Sequence, residues 1–217
     1  MPVRVVEALL QTEMNKLPSA SVAIIIFVRH PEIGKVKTRL AKSIGDEKAL
    51  QIYKKLLQHT LDITSAVEAA KFVFYTEEIQ EQDLWSKPNY TKCKQDGTDL
   101  GERMKNAFSF VFSKGFTHLV IVGSDCYQLK SNTIELAFSH LADNDFVLGP
   151  AVDGGYYLLG MNRLYSEVFE NKIWSTSHVA EQTISDVERL GLSFKLLQTL
   201  NDVDEVEDLA ASGITID

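Results

Sequence analysis

The chain has 217 residues, a formal net charge of −8 and 45% hydrophobic residues. That is enough apolar material for one α/β domain, and the negative charge argues against a nucleic-acid backbone as partner. No apolar run approaches the ~20 residues needed to cross a bilayer. Cys93 and Cys126 make neither a disulfide framework nor a metal-ligand spacing, so a reducing, cytoplasmic setting is expected.

Residues 1–20 read as an accessory amphipathic helix or a loose tail, because Arg4 and Glu7 break their apolar stretch and Glu13 and Lys16 follow. One domain is expected over residues 21–217. Its first element is Val22–Val28, a continuous β-branched run of the kind buried on both faces of a parallel sheet. The loop that leaves this strand carries Arg29, His30, Gly34, Lys35, Lys37 and Arg39. Ligands of parallel sheets bind beyond the carboxyl ends of the strands, so this basic loop is a candidate phosphate site. It is not a P-loop, since Val36 follows Gly34-Lys35. A solvated basic helix start explains the same residues, and residue chemistry alone leaves both readings open.

Asp46 is placed to cap a helix whose apolar face is Leu50, Tyr53, Leu57 and Leu61. Residues 71–76 (KFVFYT) read as the second strand. Asp99 to Arg103 opens the next helix, where backbone N–H groups at Gly101 and the Arg103 side chain could meet a phosphate. That helix presents Leu100, Met104, Ala107, Phe108 and Val111 on one face and ends near Gly115.

Residues 118–123 (HLVIVG) form the third strand, in which His118 is structural. Asp125 follows at the carboxyl end, where a carboxylate can face the ligand crevice and bind a hard cation such as Mg²⁺ or Mn²⁺. Cys126 neighbours Asp125 but has no base to activate it. Asn132 and Glu135 resemble a capping box for a helix over 133–142. Residues 145–152 and Tyr156–Met161 then suggest a hairpin turned at Asp153-Gly154-Gly155. Tyr156 and Tyr157 would face opposite sides, one entering the core and the other lining a pocket. A helix near 177–190 and a strand near 193–199 precede the last motif, Asn201 to Leu209. There Asp202 and Asp204 stand at i and i+2, pointing the same way if extended. On the residues alone, Asp204 is better read as a helix cap.

Alternating strands and helices predict a three-layer α/β/α sandwich with a mixed, mostly parallel sheet. In order, the segments FVRHPEIGKVKTRL, QDGTDLGERM, VGSD, LGPAVDGGYYLLG, IWSTSHV and NDVDEVEDL resemble a family over about residues 22–212. It is an uncharacterised bacterial glycosyltransferase-like family, defined by a domain of unknown function and linked with arsenosugar biosynthesis. The basic loop and late Asp-x-Asp are also distantly similar to phospholactate and molybdenum-cofactor guanylyltransferases. The resemblance implies the GT-A, nucleotide-diphospho-sugar transferase fold. It further implies that Arg29, Gly34, Lys35, Lys37, Arg39, Gly101 and Arg103 meet nucleotide phosphates. Asp125 would hold Mg²⁺ or Mn²⁺ together with Asp202 or Asp204, and Gly154, Gly155 and Tyr156 would shape the acceptor or sugar side. Four positions depart from the family: Arg29 where Lys is usual, Tyr127 where Pro is usual, and Glu205-Val206 where Thr-Pro is usual.

The implied activity is metal-dependent transfer of a sugar from a nucleotide-sugar to a small acceptor, with Asp125 and Asp153 as catalytic candidates. Nucleotidyl transfer with release of pyrophosphate is the alternative, and a non-catalytic nucleotide-binding module is the rival from another class.

Overall fold

The computed structural model describes residues 17–214. The expectation of an extra helix or tail falls on residues that lie, up to residue 16, outside that range. Among the described residues the sheet has seven strands: β1 (Val22–Val28), β2 (Ala70–Tyr75), β3 (Tyr90–Lys94), β4 (His118–Val122), β5 (Phe146–Pro150), β6 (Tyr156–Met161) and β7 (Phe194–Leu196). Their order across the sheet is β3-β2-β1-β4-β6-β5-β7. β6 runs antiparallel to both its neighbours, while the pairs β2–β3, β1–β2, β1–β4 and β5–β7 are parallel. The sheet is therefore mixed and mostly parallel, as the chain order predicts.

The helices among the described residues are α1 (Thr38–Ile44), α2 (Asp46–Ser65), α3 (Leu100–Phe112), α4 (Ser131–Leu141), α5 (Val179–Arg189) and α6 (Val206–Ser212). None is long and apolar enough to cross a membrane. Side chains alternate across a strand, so β1 feeds two cores at once. Ile24, Ile26 and Val28 pack with Tyr53, Leu57 and Leu61 of α2 and with Ile134 and Phe138 of α4. Ala23 and Ile25 pack on the other face, with Met104, Ala107 and Phe108 of α3 and Val187 of α5. A third, small cluster joins Leu40 of α1, Ile52 and Leu56 of α2, and Val203 and Leu209 around α6. This cluster ties the segment after β7 to the segment after β1, which matters for the site.

Some boundaries differ from the sequence expectation. β3 is an edge strand that the sequence reading passes over, because YTKCK offers no apolar run. Asp46 lies inside the first turn of α2 and Gly45 holds the cap position. α4 starts at Ser131 behind Lys130, without a side-chain cap, so Asn132 and Glu135 form no capping box.

Candidate active site

The loop after β1 is fixed from below by α2. The Tyr53 hydroxyl accepts a hydrogen bond from the Arg29 N–H at 2.9 Å and lies 3.2 Å from the Arg29 carbonyl, to which it can donate. Ser124 Oγ is 3.4 Å from the same hydroxyl, so the ends of β1 and β4 share one buried anchor. The chain then turns through Gly34 and buries Val36. At Lys37 the backbone enters the left-handed region, with φ of 48°, immediately before α1 begins. For a residue with a Cβ that conformation costs about 1–2 kcal/mol. Its result is geometric: the Lys37 side chain runs inward instead of into solvent.

Lys37 Nζ stands 2.8 Å from Asp125 Oδ1 and 2.9 Å from Asp204 Oδ1, with its side chain only 5% exposed. Burial pushes the Lys37 pKa down, but the two carboxylates outweigh it and hold the ammonium charged, above the ordinary lysine value. Arg39, on α1, takes the other oxygen of Asp204. Both oxygens of Asp204 are thus engaged by cations. The backbone explains the meeting, since the Val203 N–H donates to the Asp125 carbonyl at 3.0 Å and carries the late aspartates to the end of β4.

Asp202 is in a different state. Its Oδ1 is buried with no hydrogen-bond partner. Burial, then the charges of Asp125 and Asp153, push its pKa up to about 7, with Lys37 acting in the opposite sense. Cys126 lies beside it, and burial together with the Asp202 charge pushes that thiol up to about 12. A thiol in that state is not a nucleophile.

Residues 60–176, more than half of the chain, match the family model described as "Uncharacterized protein conserved in bacteria (DUF2064)". The chain belongs to the DUF2064 family. Among solved structures, a proposed nucleotide-diphospho-sugar transferase from Desulfovibrio desulfuricans G20 is similar with a TM-score of 0.82 and 34% identity. That match covers 88% of this chain and 85% of the other. A cytidylyltransferase from Leptospira borgpetersenii serovar Hardjo-bovis gives a TM-score of 0.56 at 16% identity, covering 88% and 84%. A 4-diphosphocytidyl-2C-methyl-D-erythritol synthase from Anaerococcus prevotii gives 0.55 at 11%, covering 89% and 95%. The last two share the fold alone. No curated protein matches the sequence. The fold is the nucleotide-diphospho-sugar transferase-like one that the sequence motifs imply.

In this DUF2064 protein the other expected site residues divide sharply. Asp204 is no helix cap: Glu205 holds that position in α6, in a capping box with Asp208. The Asp204 side chain goes to Lys37 and Arg39 instead. Lys35 is exposed and pairs with Glu32 at 2.9 Å. Arg29 is exposed at the mouth of the loop. Gly101 is buried where a Cβ would overlap the Trp174 ring, so its lack of a side chain serves packing. Arg103 donates through Nε to the Gly97 carbonyl at 3.0 Å, which bolts the loop before α3 to that helix.

The expected hairpin forms between β5 and β6. Ala151 and Gly155 pair through a 3.0 Å hydrogen bond, leaving a three-residue loop closed by Gly154 at φ of 86°. That is the G1-bulge form of hairpin. A Cβ on Gly154 would overlap the Ser177 carbonyl, and the Gly154 carbonyl accepts from the Ala180 N–H at 2.9 Å. Asp153 is exposed, with Oδ1 accepting from the Gly155 N–H at 2.8 Å. Both tyrosines pack: Tyr157 donates to the Gln198 carbonyl at 2.9 Å, and the Tyr156 hydroxyl rests on Met104 Sδ. Tyr157 is buried, and Tyr156 is half-buried. The sequence reading missed Tyr53, counted only as core, and gave the IWSTSHV segment no role. Trp174 and Ser177 of that segment press on the two glycines that set the positions of α3 and the hairpin.

The oxygens at this edge fit a hard divalent ion in chemistry. Asp202 offers a buried oxygen without a partner, and Asp125 spends only one oxygen on Lys37. Among the described residues, no three potential ligand side chains already converge as a metal site. A lysine ammonium holds the centre.

Proposed function

We propose that this protein is a transferase that binds a nucleotide or nucleotide-sugar with Mg²⁺ or Mn²⁺ and transfers the sugar to a small acceptor. One observation carries the reading: cations from the loop after β1 and carboxylates from the end of β4 and from the segment after β7 meet at one point of the carboxyl edge. A departing nucleoside diphosphate gathers negative charge on its phosphate oxygens, which fixed cations stabilise better than water does. Lys37 and Arg39 are positioned for that task, with the exposed Arg29 and Lys35 at the entrance. Asp125 and Asp202 would hold the ion, and Asp204 serves as counter-charge to Lys37 and Arg39. When bound, the ion would supply further neutralisation of the phosphates. Asp153, exposed on the hairpin beside Gly154 and Gly155, is the candidate base on the acceptor side. The nucleotide-diphospho-sugar assignment of the 34%-identical relative supports sugar over nucleotidyl transfer.

A thermal-shift panel of nucleotides and nucleotide-sugars, with and without Mg²⁺, tests this. At free ligand of about 100 times Kd the gain should be about 2.7 kcal/mol and should require metal. Asp125→Asn should keep the fold and lose the gain. Product analysis then separates release of a nucleoside diphosphate from release of pyrophosphate. Binding without turnover of any panel member would favour a non-catalytic module, and no metal-dependent shift at all would sink the proposal.

A further inference from the structure

We infer that Lys37 stands in the cation's place and excludes a divalent ion until a nucleotide phosphate draws it away. The inference rests on the proposed function for its ligand, but its core concerns this chain alone. Lys37 Nζ is 2.8 Å from Asp125 Oδ1, so an ion coordinated by Asp125 and Asp202 would stand within a few ångströms of a buried ammonium. Like charges at that distance, out of reach of screening by salt, repel strongly. Arg39, two residues beyond Lys37, adds a second positive charge through its bond to Asp204. The apo site is therefore already neutralised by built-in cations, and the unpartnered Asp202 Oδ1 marks a coordination position left over.

A polyphosphate changes both sides of that balance. Its oxygens give Lys37 another partner, and they add ligands for the ion. The backbone favours release, since Lys37 holds a left-handed conformation that residues with a Cβ rarely adopt. Metal and nucleotide should then bind as a pair, each raising the affinity of the other by the same factor.

Titration of Mn²⁺, followed by the electron paramagnetic resonance signal of the free ion, tests this on the full chain. The comparison is between the parent, Lys37→Met and Lys37→Asn, each without nucleotide and with ATP, CTP, GTP or UTP. Met keeps the apolar stem, while Asn accepts a positive φ, so a folding failure of one variant leaves the other. Without nucleotide, both variants should bind Mn²⁺ about 10-fold or more tightly than the parent, the scale on which neighbouring groups tune metal sites. Adding Asp202→Asn to either variant should remove the gain. In the parent, one triphosphate should raise Mn²⁺ affinity by a similar factor. Equal Mn²⁺ affinity in parent and variants overturns the exclusion by Lys37, whatever the nucleotides do. Were both variants to unfold, a parent that binds Mn²⁺ as tightly alone as with a bound triphosphate would overturn it as well. A gain in the variants with no effect of any triphosphate upholds the exclusion and counts against the proposed function instead.

Discussion

Asp145 and Asp202 are both carboxylates at an edge of the same sheet, and they live in opposite conditions. Asp145 precedes β5 at the amino edge. It accepts hydrogen bonds from the Ser193 N–H (3.0 Å), the Ser193 hydroxyl (2.7 Å), the Tyr165 hydroxyl (2.8 Å) and Asn162 Nδ2 (3.3 Å). Burial pushes its pKa up, but these donors outweigh it and hold the carboxyl at about 2. Asp202 at the carboxyl edge has a buried oxygen with no donor and other carboxylates close by, and is pushed up to about 7. A residue placed for stability has its bonding capacity met by the chain. One whose capacity is left open at the ligand edge lowers stability and is kept for something else.

Removing Asp145 should have the largest effect on folding. Asp145→Ala strips four hydrogen bonds from an ionised acceptor at a site water can reach, and should destabilise by about 3 kcal/mol. Nucleotide and metal binding should stay as in the parent. Urea unfolding checks the first part and calorimetry the second. A neutral result in urea would mean the network at the amino edge is replaced by water.

Asp202→Asn should move stability the other way. The folded-state pKa of Asp202 lies above its ordinary value near 3.8, so between about pH 4 and 7 the folded protein keeps a proton that the unfolded chain has lost. Stability due to this group is thus full below about pH 4 and falls as pH rises through about 7. Asp145, with its depressed value, contributes stability above about pH 4 that is lost as pH falls towards 2. In metal-free buffer at pH 8, Asp202→Asn should be more stable than the parent by about 2 kcal/mol, with little difference at pH 4. Parallel curves for parent and variant from pH 4 to 8 would show that Asp202 is not held in the state described here.

How far the sequence reveals this contrast depends on the kind of signal. β1 and β4 are legible because buried parallel strands are continuous apolar runs, and Asp125 is legible because it follows one of them. β3 is hidden by Lys92 and Lys94, which an edge strand can carry and a central one cannot. The helix starts expected at Asp46, Asn132 and Asp204 each slip, because tertiary packing decides where the chain turns and several polar residues could serve as cap. At Asp202 and Asp204 the i, i+2 spacing suggests a shared cation. It cannot say that Asp204 would be saturated by Lys37 and Arg39 while Asp202 would be left open. That outcome depends on the left-handed turn at Lys37, a conformation that a lysine does not announce.

The smallest predicted effect concerns what holds that turn in place. At the amino edge several bonds back one another up, but the start of the basic loop hangs on the single hydroxyl of Tyr53. A phenol has one proton to donate and can accept as well. Here it accepts from the Arg29 N–H and has the Arg29 carbonyl and Ser124 Oγ in reach. Tyr53→Phe preserves the ring packed against Val28 and Leu57 in the core and removes only that hydroxyl. Arg29 is exposed, so water can replace part of the loss, and the global cost should be about 1 kcal/mol. The local consequence should be larger than this figure suggests. With its anchor gone, the loop over residues 29–37 opens by local fluctuation more often than the whole protein unfolds. Amide hydrogen exchange should therefore speed up in 29–37 while β5 and β7 near Asp145 keep their protection. Nucleotide binding should weaken modestly, because the cations must be ordered before they can meet a phosphate. Uniform acceleration across the sheet would make Tyr53 an ordinary core residue. Unchanged exchange in the loop would mean that the pairing of Lys37 with Asp125 and Asp204 holds the turn without help from below.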